Sequence, residues 1–405
     1  MKRKIDFDIL ESLRGLAALY VCIAHCRGVL WIGGEYFTSQ HPRSTWGVLD
    51  YMTISLTMLT RLSTEFVIIF FVLSGFSIAH SLRNSTQPGG FYKRRFIRLY
   101  PPYLMAIIYA MAVAWCLRAA FPHYFDGTYH TAVFERLSTS NGLFNWKTFA
   151  LNLVYFPQMG GLLNPFWSLT HEVIFYLLAP FLFRNKKAYY IGSMVLFLGI
   201  NILIQSGVIH LHEYIPVDFL FYNFFFALGV GLYSNYERIV SMFSLLLHRR
   251  VLIGVGLIFL SMVGISLSKA YTLNSQWAIA LNALLAATMS VMLILYLVTN
   301  NLRIKPLIQI GRFSYTLYIT HFPTIFIYLS AWYYFTKAHP PYITNSLVFI
   351  PCIFFCLLMA YTHYQLIEKR TKYILDRLRK TEEIPAVQPA IEPASEDLIT
   401  ENVKL

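Results

Sequence analysis

Residues Asp8 to Trp31 read DILESLRGLAALYVCIAHCRGVLW, and this stretch decides which kind of fold the chain adopts. It is apolar and long enough to cross a bilayer, because about 20 helical residues span the hydrocarbon core. It also contains Glu11, Arg14 and His25, although a charged side chain within a spanning helix costs roughly 2.5–3.5 kcal/mol. Such residues usually face a protein interior or a water-filled cavity that holds a partner. The stretch therefore predicts a membrane helix with a polar, functional face.

The spacing of these polar residues supports a shared face. Arg14 and His25 are eleven positions apart in the chain. Eleven residues make close to three helical turns, which places the two side chains on one face about 16 Å apart. Glu11 precedes Arg14 by three positions, so the carboxylate and the guanidinium are neighbours on that face.

The composition of the whole chain indicates a membrane protein. Hydrophobic residues make up 57% of the 405 residues and charged residues only 13%, whereas about 25% of a soluble globule is charged. The net charge of +13 raises the question of nucleic-acid binding. The basic residues lie in short segments between apolar spans, however, which is the pattern of the positive-inside rule and excludes a nucleic-acid-binding surface.

Windows of about 20 apolar residues predict an all-α polytopic protein with about ten transmembrane helices. The predicted spans are 9–31, 64–82, 100–121, 163–183, 188–206, 216–235, 251–268, 277–299, 313–335 and 343–365. Placing the N-terminus inside puts most lysines and arginines into the inner loops, so both termini are predicted to be cytoplasmic. We expect one integral membrane domain over residues 1–380. The acidic, proline-containing segment 381–405 is predicted to be a disordered cytoplasmic tail.

Two predicted outer loops, 32–63 and 122–162, are long and rich in polar and aromatic residues. Long loops within a compact protein tend to be functional, and aromatic faces beside amides suit a sugar. An aromatic belt at the membrane interface explains the same residues equally well.

The five cysteines lie within predicted spans, and four of them form two i,i+4 pairs. We interpret them as small buried hydrophobic residues and expect no metal site.

A short set of ionisable residues lies inside the predicted spans and away from their ends. A single histidine in a helix bundle is more often a hydrogen-bonded core residue than a catalyst. Several such groups together favour a site, because each buried polar group requires a partner. The set consists of Arg14, His25, His171, Glu172 and His321.

The inner segment GGFYKRRFIRLYPPY (89–103) clusters Arg94, Arg95 and Arg98. Positions three and four apart would lie on one side of a helical turn. Guanidinium groups bind phosphate oxygens in a bidentate manner, so the cluster suits a phosphate-bearing ligand. A purely topological role under the positive-inside rule is an equally good explanation at this point.

Five segments, in order, resemble the pattern of the acyltransferase 3 family of membrane-bound acyltransferases. They are SLRGLAALYVCIAH (12–25), FFVLSGFSI (70–78), RRFIRLYP (94–101), NPFWSLTHEVIFYL (164–177) and GRFSYTLYITHFP (311–323). The resemblance covers residues 8 to about 366, and the order of the segments makes it specific.

This resemblance implies transfer of an acyl group, usually acetyl, from cytoplasmic acyl-CoA (acetyl-CoA) to a surface or lipid-linked carbohydrate. The carbohydrate would be O-antigen or lipopolysaccharide, exopolysaccharide or another glycan, at the bacterial inner membrane. By motif, His25 is the expected catalytic histidine and Arg14 its companion, while Glu172 and His321 complete the catalytic set. Arg95 and Arg98, with Arg94 beside them, are the expected donor-binding residues, and no metal is expected. His25 would act as a general base or as a nucleophile.

Two features depart from the family pattern. Some members carry a further hydrolase-like domain, so an envelope-biosynthesis partner is possible here. His171 occupies a position where the family more often has an apolar or small residue.

Two other classes of function remain open from the sequence. A transporter or acyl-group translocator would use the same buried charged residues, but matching halves with interrupted helices are not seen. A membrane scaffold in an envelope-polymer assembly would use the outer loops to bind partners. An enzyme consumes acyl-CoA, a carrier requires a gradient, and a scaffold requires neither.

Overall fold

The computed structural model describes residues 6–31, 38–39, 41–83, 88–127, 132–139, 146–156, 161–211, 215–243, 248–268, 275–337 and 348–383. Within these ranges the chain is built from helices and contains no strand. The prediction of an all-α polytopic membrane protein is confirmed.

The helices are numbered in chain order. They are α1 Phe7–Leu30, α2 Val48–Met58, α3 Ser63–Arg83, α4 Pro88–Ala120, α5 Ala132–Thr139, α6 Trp146–Leu153, α7 Trp167–Leu182, α8 Lys186–Gln205, α9 Ile215–Ser234, α10 Tyr236–Phe243, α11 His248–Leu267, α12 Gln276–Thr299, α13 Lys305–Arg312, α14 Ser314–Thr336, α15 Phe349–His363 and α16 Lys369–Glu383. A π-helical turn, Tyr364–Glu368, joins α15 to α16.

Each of the ten predicted spans overlaps one of these helices. By length and composition, seven helical stretches among the described residues are long and apolar enough to cross a membrane. Neither α1 nor α14 belongs to the seven. Both helices contain polar side chains of the candidate site, which reduces their hydropathy. The count of ten spans and the cytoplasmic position of both termini therefore stay predictions.

The third predicted span begins earlier than expected. The sequence placed its start at residue 100, but α4 begins at Pro88 and continues through Pro101 and Pro102. Each proline removes one backbone donor from the helix. The adjacent turn is anchored from outside, because the Tyr315 hydroxyl donates to the Leu99 carbonyl at 3.1 Å. The expected inner loop with its arginine cluster is therefore the first part of a helix.

The predicted outer loops contain helices where the structure describes them. α2 lies within 32–63, and α5 and α6 lie within 122–162. At the other end of the chain, α16 runs to Glu383. The predicted tail from residue 381 thus begins inside a helix, and 384–405 lie outside the described residues.

Helix α1 lies at the centre of the bundle, in contact with α3, α12, α13, α14 and α15. Its closest approach is to α13, where two glycines pack against each other's backbone. A Cβ on Gly15 would overlap the Leu307 carbonyl, and a Cβ on Gly311 would overlap the Glu11 carbonyl. Both glycines lie in the family-like segments, and their small size allows the backbones of α1 and α13 to touch.

A second glycine pair joins α3 to α9. A Cβ on Gly75 would overlap the Phe226 carbonyl, and a Cβ on Gly229 would overlap the Val72 carbonyl. Helix α3 is thereby held tightly between α1 and α9. These contacts place the polar residues of α1, α3, α4, α7 and α14 around one space.

Candidate active site

A cavity opens between α1, α3, α4, α7 and α14. Three arginines and one carboxylate contribute its charged groups: Arg14, Arg95, Arg98 and Glu172. Serine and tyrosine hydroxyls supply most of its other polar groups, at Ser74, Ser77, Ser168, Ser314, Tyr176, Tyr315 and Tyr318. Its apolar walls are Val67, Phe70, Phe71, Leu99 and Leu169. A cavity with three guanidinium groups and one carboxylate is suited to an anionic ligand.

The Arg14 guanidinium is oriented by two contacts at this cavity. Its Nη1 forms an ion pair with Glu11 Oε1 at 2.8 Å, which is the i,i+3 pairing that the spacing predicts. Its Nη2 donates to Ser77 Oγ on α3 at 2.9 Å. The side chain is only 14% exposed, so both contacts hold it at a fixed place in the wall.

Glu172 is held from two sides. Its Oε1 accepts hydrogen bonds from Ser74 Oγ at 2.7 Å and from the Tyr176 hydroxyl one turn along α7. The Tyr176 ring lies 5.2 Å from the guanidinium carbon of Arg95, a cation–π contact. Glu172 therefore organises the arginine side of the cavity. Its hydrogen-bond partners at the cavity are these two hydroxyls, and its place in the catalytic set stays a prediction.

The three predicted donor-binding arginines differ in position. Arg95 and Arg98 line the cavity, whereas Arg94, on the same turn of α4, does not. Arg95 is placed between the rings of Phe91 and Tyr176, 5.7 Å and 5.2 Å from its guanidinium carbon. Aromatic faces hold a guanidinium plane without using up its N–H donors.

His25 and His321 form a pair. His25 Nδ1 lies 2.8 Å from His321 Nε2, and the two rings are nearly parallel, with an interplanar angle of 14°. His321 is buried, and its Nδ1 lies 3.0 Å from the Leu317 carbonyl of its own helix. The sequence named both histidines but contained no signal that α1 and α14 would bring them together.

The hydrogen bonds of this pair determine which nitrogen carries each proton. A carbonyl only accepts, so His321 Nδ1 must donate to Leu317, and a neutral His321 then has its lone pair on Nε2. His25 Nδ1 must donate to that lone pair. A neutral His25 consequently carries its own lone pair on Nε2, where an imidazole can accept a proton.

The histidine pair lies close to the cavity, beside Tyr318 of its lining. Tyr318 lines the cavity and precedes His321 by three positions on α14, with ring centroids 6.0 Å apart. The Tyr318 hydroxyl contacts Ser168 Oγ at 2.7 Å and donates to the Pro165 carbonyl at 2.8 Å. Tyr318 therefore connects the arginine-lined space to the imidazoles.

His171 lies outside the cavity lining. It is buried against aromatic rings, with centroids 5.8 Å from Trp167 and 5.2 Å from Tyr222. Trp167 is packed in this aromatic cluster, and its ring centroid also lies 6.3 Å from that of Phe71.

Sequence reasoning missed the hydroxyl groups that line the cavity. A signal existed in their spacing. Ser74 and Ser77 are three apart, and Ser168, Glu172 and Tyr176 are four apart. Such polar repeats within apolar helices place hydroxyl and charged groups on one buried face.

Comparison with known proteins identifies a family and two relatives. The family model described as an acyltransferase domain matches residues 7–372. The chain is 31% identical over 116 residues to "Protein 2 in picA locus" of Rhizobium radiobacter, which covers 27% of this chain and 47% of that protein. It is 28% identical over 182 residues to "Acyltransferase MdmB" of Streptomyces mycarofaciens, which covers 45% and 40% respectively. The chain thus spans less than half the length of these two relatives, and no solved structure matches it.

The family match includes all seven predicted site residues and extends over nearly the whole chain. Together with the helical bundle, it shows that this chain is a membrane protein that belongs to the acyltransferase 3 family.

Proposed function

We propose that this protein transfers an acyl group, most simply acetyl, from cytoplasmic acyl-CoA to a hydroxyl of a surface or lipid-linked carbohydrate. One observation carries the proposal. A cavity lined by Arg14, Arg95 and Arg98 ends beside Tyr318, one turn from the His25–His321 pair. An anion-binding space that leads to a base is the arrangement required for transfer from a phosphate-bearing donor.

The arginine side of the cavity suits the donor. Coenzyme A carries several phosphate groups, and guanidinium groups bind phosphates through bidentate hydrogen bonds. Eleven residues of helix separate Arg14 from His25, about 16 Å. The extended pantetheine arm of coenzyme A is suited to bridge such a distance between bound phosphates and a reacting thioester.

The histidine side supplies the base. His25 Nε2 takes the proton of the acceptor hydroxyl as the oxygen attacks the thioester carbonyl. The C–O bond forms, the C–S bond breaks, and the proton passes from His25 to the leaving thiolate. Nδ1 of His25 stays hydrogen-bonded to His321 throughout, so the imidazolium is stabilised while it exists.

The acceptor would approach from the outer side. With the predicted orientation, His25 lies in the outer half of an inner-membrane bilayer, and the donor enters at the opposite end of the cavity. The outer segments 32–63 and 122–162 then face the acceptor. Their polar and aromatic residues are typical of carbohydrate contacts.

Mass spectrometry of surface glycans and lipid-linked sugars tests this proposal. Cells with the protein, cells without it and cells carrying His25→Ala are compared. We expect the acyl increment only with the intact protein. An increment that survives His25→Ala would move the chemistry away from this residue, and no increment in any sample would favour a transporter.

His363→Ala is the matched control. His363 is also a helical imidazole, and its Nδ1 lies 2.7 Å from its own helix's Met359 carbonyl. It does not line the cavity, so loss of its ring should leave acyl transfer close to the wild-type level. Equal loss in both variants would indicate a general effect of removing an imidazole from the bundle.

A further inference from the structure

Four cysteines from two distant parts of the chain meet beside the histidine pair. Cys22 and Cys26 lie on α1, and Cys352 and Cys356 lie on α15. All four side chains are at most 1% exposed. The sequence showed two separate i,i+4 pairs, and the packing of α1 against α15 unites them into one cluster. We call these residues the cysteine cluster.

The sulfur atoms lie at distances typical of metal ligands. Sγ of Cys26 and Sγ of Cys352 are 3.6 Å apart. The Sγ atoms of Cys22, Cys26 and Cys356 all lie within 4.8 Å of one another. Four thiolates around a zinc ion, with Zn–S bonds of about 2.3 Å in a tetrahedron, have sulfurs about 3.8 Å apart. Three of the sulfurs are thus grouped at a spacing that one ion can bridge, and the fourth lies next to Cys26.

We propose that the cysteine cluster binds one zinc ion. Each ligating thiol loses its proton to solvent as the Zn–S bond forms, so no oxidant or reductant is needed. The cation offsets two of the four thiolate charges, so the zinc-loaded cluster has a net charge of about −2. Helical C-x₃-C spacing falls within the range seen for zinc-binding cysteines.

A disulfide explains the arrangement less well. It would use two sulfurs, whereas three lie within 4.8 Å of one another and the fourth, that of Cys352, lies 3.6 Å from the Cys26 sulfur. A metal ion uses three or four sulfurs at once. The cluster also has the two-plus-two distribution over two helices that allows one ion to cross-link them.

The position of the cluster predicts what the ion would do. Cys22 and Cys26 flank His25 on α1, and Cys356 Sγ donates to the His321 carbonyl at 3.8 Å. An ion at this place would join α1 to α15 directly behind the histidine pair. It would stabilise the relative position of the two helices that surround the imidazoles, and it would not contact the substrate.

Elemental analysis of the full-length protein in detergent tests the proposal. Zinc per chain is measured for the wild type, Cys26→Ser and Cys356→Ser. Cys116→Ser is the matched control, because Cys116 is an exposed cysteine outside the cluster. We expect about one zinc ion per chain in the wild type and the control and a loss of most of it in the cluster variants. Equal zinc in all four proteins would overturn the proposal.

A second measurement does not depend on folding of the variants. The wild-type protein is treated with a chelator and titrated with Cd²⁺, while the ultraviolet thiolate-to-metal charge-transfer band is recorded. A band that saturates at one ion per chain supports the site, and its absence overturns the proposal.

Mass spectrometry after alkylation of the protein counts its free thiols. A disulfide in the metal-free, untreated protein would overturn the proposal in favour of a redox pair.

Discussion

Replacement of His321 tests the central feature of the proposed mechanism, the hydrogen bond that orients His25. In His321→Leu the side chain keeps a similar size and fills the same buried space, but it cannot accept from His25 Nδ1. His321→Gln restores an acceptor at nearly the same reach. The pair of variants therefore separates the hydrogen bond from the packing.

The size of the effect follows from the geometry. The bond from His25 Nδ1 to His321 Nε2 is 2.8 Å long and becomes a charged hydrogen bond when His25 takes the proton. Such bonds contribute about 1.5–3 kcal/mol. Since about 1.4 kcal/mol corresponds to a factor of ten, kcat should fall roughly 10- to 100-fold in His321→Leu. The larger loss from His25→Ala should be about 10²- to 10⁴-fold, the contribution of a general base.

The assay is steady-state transfer from acyl-CoA in proteoliposomes, with the donor concentration varied. We expect kcat to fall in His321→Leu, KM for the donor to stay unchanged, and His321→Gln to recover most of the activity. Wild-type kcat in His321→Leu would refute the reasoning. A folded His321→Gln protein as inactive as His321→Leu would also refute it, because the acceptor would then not be the relevant feature.

Three further predictions concern the cavity and the helix packing. Arg98→Ala should raise the donor KM about 10- to 100-fold through loss of charged hydrogen bonds. Arg94→Ala should raise it less, because Arg94 does not line the cavity. Equal rises of the donor KM in both variants would indicate a purely topological role of these arginines. Glu172→Gln weakens the charged hydrogen bonds that this side chain accepts from its two hydroxyl partners, so kcat should fall about tenfold. An unchanged kcat would contradict a role of Glu172 in the site. Gly229→Ala places a Cβ against the backbone of α3 and should destabilise the protein by about 1–3 kcal/mol, seen as a lower Tm in detergent. Gly256→Ala meets no atom within 4 Å and should leave Tm unchanged or slightly raised, so a similar loss in both variants would argue against the close packing of α3 and α9.

Much of the fold was accessible from the sequence because membrane helices obey a strong local rule. Every backbone polar group must be bonded within its own segment, so apolar runs of about 20 residues become helices whatever their neighbours are. All ten predicted spans therefore overlap a helix. The errors lie at the ends of these runs, as at Pro88, where a polar, basic segment continues a helix that hydropathy does not detect.

The sequence also identified the charged residues that line the cavity, and ionisable groups within apolar helices are rare enough to be recognised one by one. Arg14, Arg95, Arg98 and Glu172 line one cavity, and His25 meets His321. The glycines of the same segments were uninformative alone. Only the tertiary structure shows that Gly15 allows α1 to touch α13.

Only the tertiary structure decided which of these side chains contact each other. Helical periodicity defines the face on which a side chain lies, but it does not define which other helix that face meets. Glu172 thus bonds to Ser74 and Tyr176 rather than to an imidazole. The bond between His25 and His321 joins residues that are 296 positions apart in the chain. The local sequence determines which functional groups each helix contains. The distances between these groups are determined by the packing of helices that are distant along the chain.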